Sequence, residues 1–184
     1  MRTLIVSLLA FGALLPAAQA PPPATQPHKP FVILRHPDDK TPITLASYRG
    51  KVVMLIFIST GCPHCQDLTK ELIPIANEYS PRGVQILECA VNGDAEQAVP
   101  GFVARFKPPF PVGYNTQAAV DEYLQRSMLM TFYVPHAVFL NRSGKIVDDY
   151  PGESDFMKNP DTNTRAELDK LLAPAATAAK KAAK

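Results

Sequence analysis

The chain has 184 residues, 46% of them hydrophobic, which is enough for one domain with its own core and extensions at its ends. Nineteen basic and 17 acidic residues leave a net charge of +2, which argues against a nucleic-acid-binding surface. Three cysteines are too few for a small scaffold held together by disulfides, so the domain has to fold on its own core.

The two ends of the chain differ in composition from the middle. Residues 1–20 are typical of a secretory signal: Arg2 is followed by an apolar stretch and then by the A-x-A pattern Ala18-Gln19-Ala20. An uncleaved membrane anchor is the weaker interpretation, because the apolar stretch is shorter than the roughly 20 residues that span a bilayer. Residues 21–30 contain five prolines and predict an extended linker. Residues 173–184, rich in alanine and lysine, predict a disordered tail, which leaves residues 31–172 as the folded domain.

Within that domain, strands and helices are expected in alternation. Two short strands come first, then a strand that is apolar on both faces, as in a parallel sheet covered on both sides. The predicted strands are Phe31–Leu34, Ile43–Leu45, Val52–Ser59, Val84–Val91, Phe110–Val112, Phe132–Leu140 and Lys145–Tyr150. The predicted helices are Pro63–Tyr79, Val99–Phe106, Thr116–Ser127 and Thr164–Leu172. This order is typical of an α/β fold with a central mixed β-sheet flanked by helices and an N-terminal β extension.

The most informative motif is Cys62-Pro63-His64-Cys65, directly after the apolar strand. Two cysteines three residues apart on one helical turn can close on each other, and a helix N-terminus favours a thiolate at the first of them. The pattern therefore predicts a redox-active dithiol. A structural disulfide is one alternative. Half of a zinc site is another, and it would need further ligands from Cys89, His28, His36, His64 and His136.

Three pieces of sequence together resemble the thioredoxin-like superfamily, and within it the exported TlpA/ResA-like branch of thiol-disulfide oxidoreductases and redoxins. They are residues 45–53 before the central strand, the C-P-H-C motif, and Val134-Pro135 with the segment 137–146 that follows it. The resemblance covers residues 31–172 and implies a thioredoxin-like fold. It also implies no organic cofactor and no metal, and two kinds of partner: exported protein thiols or disulfides, and a membrane redox donor or acceptor. The localisation it implies is the periplasm or the extracytoplasmic face of the membrane.

The resemblance also implies roles for the residues of the dithiol. Cys62 would be the nucleophile and Cys65 the resolving thiol, with Pro63 and His64 supporting them. A histidine between the cysteines can stabilise the Cys62 thiolate and so make the disulfide more oxidising. Pro63-His64 is the dipeptide of strongly oxidising periplasmic members, whereas the surrounding framework resembles reductases.

On the opposite side of the site, Pro135 would be a cis-proline that faces the two cysteines. It would hold the backbone of Val134 extended so that a substrate chain can pair with it. The neighbouring His136 would either touch substrate or face solvent. Phe132 and Tyr133 would form an apolar substrate surface or belong to the core.

The sequence departs from the family at the usual acid near the second cysteine. Many members place a buried acid six residues before the first cysteine, where this chain has Ile56, and a related branch places a glutamate six residues after it, where this chain has Leu68. Glu71 is close by in sequence but predicts a surface carboxylate of the helix. Gly61 stands where the family often has tryptophan.

Two other function classes stay open at this point. A copper-handling or assembly protein of thioredoxin fold is disfavoured by the C-x-x-C spacing and by Pro135. A peroxidase of the peroxiredoxin type would use a threonine shortly before its reactive cysteine, as Thr60 stands before Cys62. Cys89 in the second central strand would be a small buried hydrophobe or a third redox thiol.

Overall fold

The computed structural model of the protein describes residues 30–34 and 41–174. The predicted secretory signal, residues 21–29 of the predicted linker, residues 35–40 between the first two predicted strands and residues 175–184 of the predicted tail lie outside these ranges. None of the helices in the described ranges has the length and apolar character needed to cross a bilayer.

Two β-sheets organise the described chain. A small hairpin consists of β1 (Val32–Ile33) and β2 (Ile43–Thr44). The central sheet is formed by β3 (Val52–Ile58), β4 (Val84–Ala90), β5 (Val112–Tyr114), β6 (His136–Leu140) and β7 (Ile146–Tyr150), in the spatial order β5-β4-β3-β6-β7. The first three of these strands are parallel, and β6 and β7 run antiparallel to their neighbours. The expected mixed sheet with an N-terminal β extension is thus present.

Four helices cover the central sheet: α1 (Pro63–Tyr79), α2 (Ala95–Phe106), α3 (Gln117–Tyr123) and α4 (Pro160–Leu172). One apolar layer packs α1, α2 and α4 against one face of the sheet, and a second packs α3 and the N-terminal hairpin against the other. Every residue of β3 is buried, as expected for a strand with both faces covered. This central strand ends directly in front of Cys62.

Several element boundaries differ from the sequence prediction. Helices α2 and α4 each begin four residues earlier than expected; α4 begins at Pro160, where the missing N–H costs nothing in the first turn. Helix α3 ends at Tyr123 rather than at Ser127, because the chain takes a left-handed conformation at Gln125, φ 54°. Strand β6 begins only after Pro135, which has no N–H to donate to the sheet.

The N-terminal hairpin is fastened to the edge of the central sheet through a close approach at Gly113. Leu34 donates its N–H to the Tyr114 carbonyl at 2.8 Å, and Tyr114 donates in return to the Leu34 carbonyl at 2.9 Å. A Cβ on Gly113 would lie 2.3 Å from the Leu34 carbonyl oxygen and 2.6 Å from Ile33 Cγ2. Only glycine lets the two backbones approach this closely.

We therefore expect Gly113→Ala to lower the free energy of unfolding by about 1–3 kcal/mol, because the added methyl group pushes the hairpin off β5. Gly101→Ala is the matched control. A Cβ at Gly101 meets nothing within 4 Å, and alanine in the interior of α2 should raise stability by about 1 kcal/mol. Thermal unfolding followed by circular dichroism measures both, and equal stability of the two variants would contradict the prediction.

Candidate redox site

Cys62 occupies the cap position of α1, at the point where the buried strand β3 gives way to the helix. Its N–H donates to the Ser59 carbonyl at 3.0 Å, and its carbonyl accepts the N–H of Gln66 at 3.0 Å, the first bond of the helix. Pro63 is the first helical residue. The Cys62 side chain is half-buried, and the three cysteines of the protein are free thiols. The sulfur of Cys62 therefore lies at the start of a helix within reach of solvent.

Cys65 lies one turn further along α1 and is fully buried. Its sulfur accepts the N–H of Ser59 at 3.5 Å. Burial raises the pKa of the Cys65 thiol above its ordinary value; the Ser59 N–H acts in the opposite direction, and Cys62 and Glu88 raise the pKa further. The two cysteines are thus unequal, one open to a substrate and one held as a neutral thiol behind it.

The loop that carries Cys62 is fixed by a reciprocal pair of side-chain bonds. Asn92 Oδ1 accepts the N–H of Thr60 at 3.0 Å, and Asn92 Nδ2 donates to Thr60 Oγ1 at 2.9 Å. Gln66 Nε2 adds a bond to the Thr60 carbonyl at 2.8 Å. The loop after β3 is therefore tied both to the loop after β4 and to the first turn of α1.

Three of the predicted site residues share one cavity. His64, Val134 and Pro135 all line a cavity of about 450 Å³, together with Leu68 of α1 and Met157. The Val134–Pro135 peptide bond is cis. His64 is exposed, and its charge, after the larger effect of Lys70, lowers the pKa of Asp67. The structure thus brings together residues that lie about 70 positions apart in the sequence.

Apolar side chains project into solvent in the segment that leads to Val134. The exposed fractions are 73% for Met128, 97% for Leu129, 63% for Met130 and 51% for Tyr133. Consecutive apolar residues with this exposure are unusual on a monomeric protein surface and mark an interaction site. Of the two aromatic residues considered from the sequence, Tyr133 belongs to this surface, whereas Phe132 packs against the core.

His136 differs from both expectations for it, contact with substrate or exposure to solvent. The residue is only 1% exposed, and Nε2 is hydrogen-bonded to Asp149 of β7. The ring stacks on Phe132 with centroids 5.0 Å apart. The physical reason is strand alternation, because His136 is the first residue of β6 and turns towards the layer that contains Phe57 and α3. His136 anchors the segment before Pro135 rather than forming its surface.

Cys89 lies in the core, as expected for a small buried hydrophobe, and Glu71 lies on the surface of α1, as expected for a surface carboxylate. Cys89 is fully buried in the layer opposite to Cys65, and burial raises the pKa of its thiol. Glu71 is an exposed residue of α1; partial burial, Asp161 and Asp67 raise the pKa of its carboxyl. Within residues 30–34 and 41–174, no three His, Cys, Asp or Glu side chains come close enough to hold a metal ion together.

The sequence prediction missed one residue of the site. Glu88 of β4 is fully buried in the same layer as Cys65, directly opposite Ile56 of β3. Its Oε1 lies 2.8 Å from Thr69 Oγ1 of α1, and burial raises the pKa of its carboxyl to about 8, an effect that the Thr69 hydrogen bond reduces. The signal was a single acid in the middle of the apolar strand Val-Gln-Ile-Leu-Glu-Cys-Ala.

Comparisons with known proteins agree with this geometry. A family model described as Redoxin matches residues 14–170. Thiol-disulfide oxidoreductase ResA of Halalkalibacterium halodurans is 31% identical over 114 residues, which cover 60% of this chain and 59% of that protein. The chain thus spans less than two thirds of the length of this relative. A protein of Mesembryanthemum crystallinum named probable phospholipid hydroperoxide glutathione peroxidase is 28% identical over 126 residues, 59% of this chain and 74% of that protein.

The fold has close counterparts among solved structures. The crystal structure of a thiol:disulfide interchange protein of the thioredoxin family from Chlorobium tepidum TLS superposes with a TM-score of 0.63 at 21% identity. The superposition covers 82% of this chain and 99% of that one. This likeness establishes the thioredoxin-like fold, and the ResA relative supports the TlpA/ResA-like branch and thiol-disulfide oxidoreductase activity.

The unequal burial of the cysteines predicts selective alkylation. Iodoacetamide at neutral pH should modify Cys62 and leave Cys65 and Cys89 unmodified, because both are fully buried and both have a raised pKa. Peptide mapping by mass spectrometry locates the adducts, and denatured protein, in which all three thiols react, serves as the control. Labelling of Cys65 or Cys89 as fast as Cys62 in the native protein would contradict this arrangement.

Proposed function

Because this chain belongs to the redoxin family, we propose that it is an exported thiol-disulfide oxidoreductase that exchanges disulfides with protein thiols through Cys62 and Cys65. One observation carries the proposal. A half-buried thiol at the start of α1 stands one turn from a second, fully buried thiol, with both sulfurs free. A dithiol exchange reaction needs this pair, because the first sulfur must be accessible to the substrate and the second must then attack the mixed disulfide.

The reaction proceeds in two balanced steps. The Cys62 thiolate attacks one sulfur of a substrate disulfide, the substrate S–S bond breaks, and the other substrate sulfur leaves as a thiolate. Cys65 then loses its proton and attacks Cys62, the mixed disulfide breaks, and the second substrate sulfur leaves as a thiolate. The substrate is reduced by two electrons while Cys62 and Cys65 form a disulfide, and the reverse sequence oxidises a substrate dithiol.

The cavity lined by His64 and Pro135 and the exposed apolar residues before Val134 suit a protein substrate. In the proposed complex an extended substrate segment pairs with the backbone of Val134 beside Pro135, in the cavity that His64 also lines. The exposed run 128–130 together with Tyr133 supplies apolar contact area next to this groove. A small-molecule substrate would not need such a surface.

Export is supported by the composition of the first 30 residues. A positively charged start, an apolar stretch and an A-x-A pattern are followed by the proline-rich segment 21–30. Outside the cytosol the dithiol needs a partner that supplies or removes electrons, and we propose a membrane redox protein for this role. The second expected class of partner, exported protein thiols or disulfides, follows from the two-step reaction.

Substitution of the resolving thiol tests the reaction. Cys65→Ser should accumulate a covalent complex with substrate, because no second thiol remains to release Cys62, and Cys62→Ser should form none. Non-reducing electrophoresis with and without dithiothreitol detects the complex. Insulin is a suitable disulfide substrate, and the absence of a dithiothreitol-sensitive complex in Cys65→Ser would exclude this chemistry.

The direction of electron flow can be measured as the Cys62–Cys65 reduction potential in glutathione buffers. A value near about −120 mV belongs to a disulfide donor, and a value near or below about −250 mV belongs to a reductant. His64→Ala should make the potential more negative by tens of millivolts, because the thiolate loses a stabilising neighbour. Asn77→Ala, at an exposed position near the far end of α1, is the matched control and should leave the potential unchanged. An unchanged potential in His64→Ala would show that this histidine does not set the direction.

A second candidate function is peroxide reduction, favoured by the relative named as a probable glutathione peroxidase and by Thr60 two residues before Cys62. In that reaction the Cys62 thiolate would attack one peroxide oxygen, the O–O bond would break and the other oxygen would leave as water or an alcohol. The resulting sulfenic acid would then condense with the Cys65 thiol to a disulfide, with loss of a further water. Hydrogen peroxide consumption coupled to dithiothreitol distinguishes the two functions. Rapid turnover with peroxide and none with insulin would favour the peroxidase.

A further inference from the structure

Glu88 is a buried acid for which the fold alone gives no reason. Its carboxyl lies in the middle of the central sheet, and Oε2 is buried without a hydrogen-bond partner in the described part of the chain. Thr69 holds only the other oxygen. An unpaired buried oxygen of this kind costs stability, so a purely structural role would be better filled by an apolar residue such as its neighbour Ile56.

The surroundings of Glu88 link it through Thr69 to the turn of α1 that carries the resolving thiol. Glu88, Cys65 and Thr69 belong to the same layer between the sheet and α1, and the Thr69 hydroxyl lies 2.9 Å from the Cys65 carbonyl and 2.8 Å from Glu88 Oε1. A negative charge on Glu88 raises the pKa of the Cys65 thiol, after the larger effects of burial and Cys62. Among the described residues, the only other titratable group that acts on Cys65 is Cys62. The pKa of the Glu88 carboxyl is set by burial, which raises it, and by the Thr69 hydrogen bond, which lowers it. No charged group of α2, α4 or β5 shifts it.

The Thr69 hydroxyl can serve both protonation states of Glu88. It has one hydrogen, so its two short contacts are both hydrogen bonds only when a neutral Glu88 donates to Thr69 Oγ1 and Thr69 donates to the Cys65 carbonyl. When Glu88 is ionised, the hydroxyl can rotate and donate to Oε1 instead. Because its hydroxyl can both donate and accept, Thr69 can stay hydrogen-bonded to Glu88 whether the Glu88 carboxyl is neutral or ionised.

We propose that Glu88 is the acid–base partner of Cys65, accepting its proton when Cys65 attacks the mixed disulfide and returning it in the reverse reaction. This inference rests on the proposed dithiol exchange. In the forward step the Cys65 S–H bond breaks and the proton passes to the Glu88 carboxylate. The Cys65–Cys62 bond then forms, and the electron pair of the broken disulfide leaves on the substrate sulfur. Glu88 releases its proton to solvent before the next cycle.

This assignment fits the rest of the layer. Ile56 and Leu68, which belong to the same buried cluster as Cys65, are apolar and can take no proton. Burial raises the pKa of the Glu88 carboxyl to about 8, so it can both bind and release a proton at a mildly alkaline pH, as a general base must. Two negative charges in one apolar layer are strongly disfavoured, so Cys65 and Glu88 share a single proton during the step.

The test follows the two phases of the reaction with Ellman's reagent. Attack by Cys62 releases the first thionitrobenzoate at a rate proportional to reagent concentration, and attack by Cys65 on the mixed disulfide releases the second at a concentration-independent rate. In the unaltered protein the rate of the second phase should rise with pH around an inflection near 8. In Glu88→Gln this rate should fall at least tenfold at pH 7 and the inflection should vanish, because an amide cannot accept the proton.

Glu167→Gln is the matched control. Glu167 is another buried acid, on α4, bonded to the Tyr150 hydroxyl and to Lys170, and its replacement should leave both phases unchanged. Should Glu88→Gln fail to fold, Thr69→Val gives an independent readout. Loss of the hydroxyl that favours ionisation of Glu88 should move the inflection to higher pH.

The outcomes separate this proposal from the proposed function. A normal first phase with an unchanged second-phase inflection in folded Glu88→Gln, or in Thr69→Val, would overturn the role of Glu88 and leave the dithiol exchange intact. Loss of stability in Glu88→Gln with the inflection preserved would likewise mean a structural role only. Absence of both phases in the unaltered protein would instead contradict the dithiol exchange itself.

Discussion

The parallel pairing of β3 with β4 is the constraint on which the site depends. The register that sets Ile58 beside Ala90 also sets the two following loops side by side, so that Thr60 and Asn92 can exchange hydrogen bonds. The same register brings Glu88 opposite Ile56, in the layer that α1 covers. A one-residue slip would turn Glu88 to the other face and part it from Cys65, because strand side chains alternate.

The two cysteines differ in burial, and this difference suits them to different steps of the reaction. Cys62 gains access to solvent from its place at the cap of α1, whereas Cys65, three residues later, turns into the apolar layer. Helical geometry thus gives one motif two environments without any change of fold. Burial keeps Cys65 protonated, yet Cys65 must lose its proton to attack the mixed disulfide. In the proposed mechanism Glu88 accepts that proton within the same buried layer.

Much of the fold could be predicted from local patterns. The apolar run 52–58 and the helix that follows Cys62 carry strong periodic signals, and they and the predicted strand 145–150 appear at or near the expected residues. The starts of α2 and α4 were missed because loop residues joined the helices through backbone bonds, such as that from Ala98 to the Asp94 carbonyl. Pro135 could be assigned only through the family resemblance, since no periodicity distinguishes it.

The remaining parts of the site depend on strand pairing, which a single sequence does not reveal. In the sequence, Glu88 is a single polar residue within an apolar strand. Its position in the layer beneath α1 becomes evident only from the pairing of β4 with β3. His136 was expected at the surface because it follows Pro135, yet the alternation of β6 turned it inward to Asp149, a residue of a different strand. In both cases the decisive neighbour lies more than ten positions away in the chain.

The hairpin contact at Gly113 has a consequence for how the protein behaves in a crowded compartment. An open sheet exposes unpaired backbone groups along its outer strands, and these invite strands from other chains. Leu34 occupies such groups on β5, while β7 at the opposite border carries Asp148 and Asp149, the first of them bound to Lys170. One border is therefore covered and the other carries charged side chains, and both features disfavour edge-to-edge pairing of this sheet with strands of other chains.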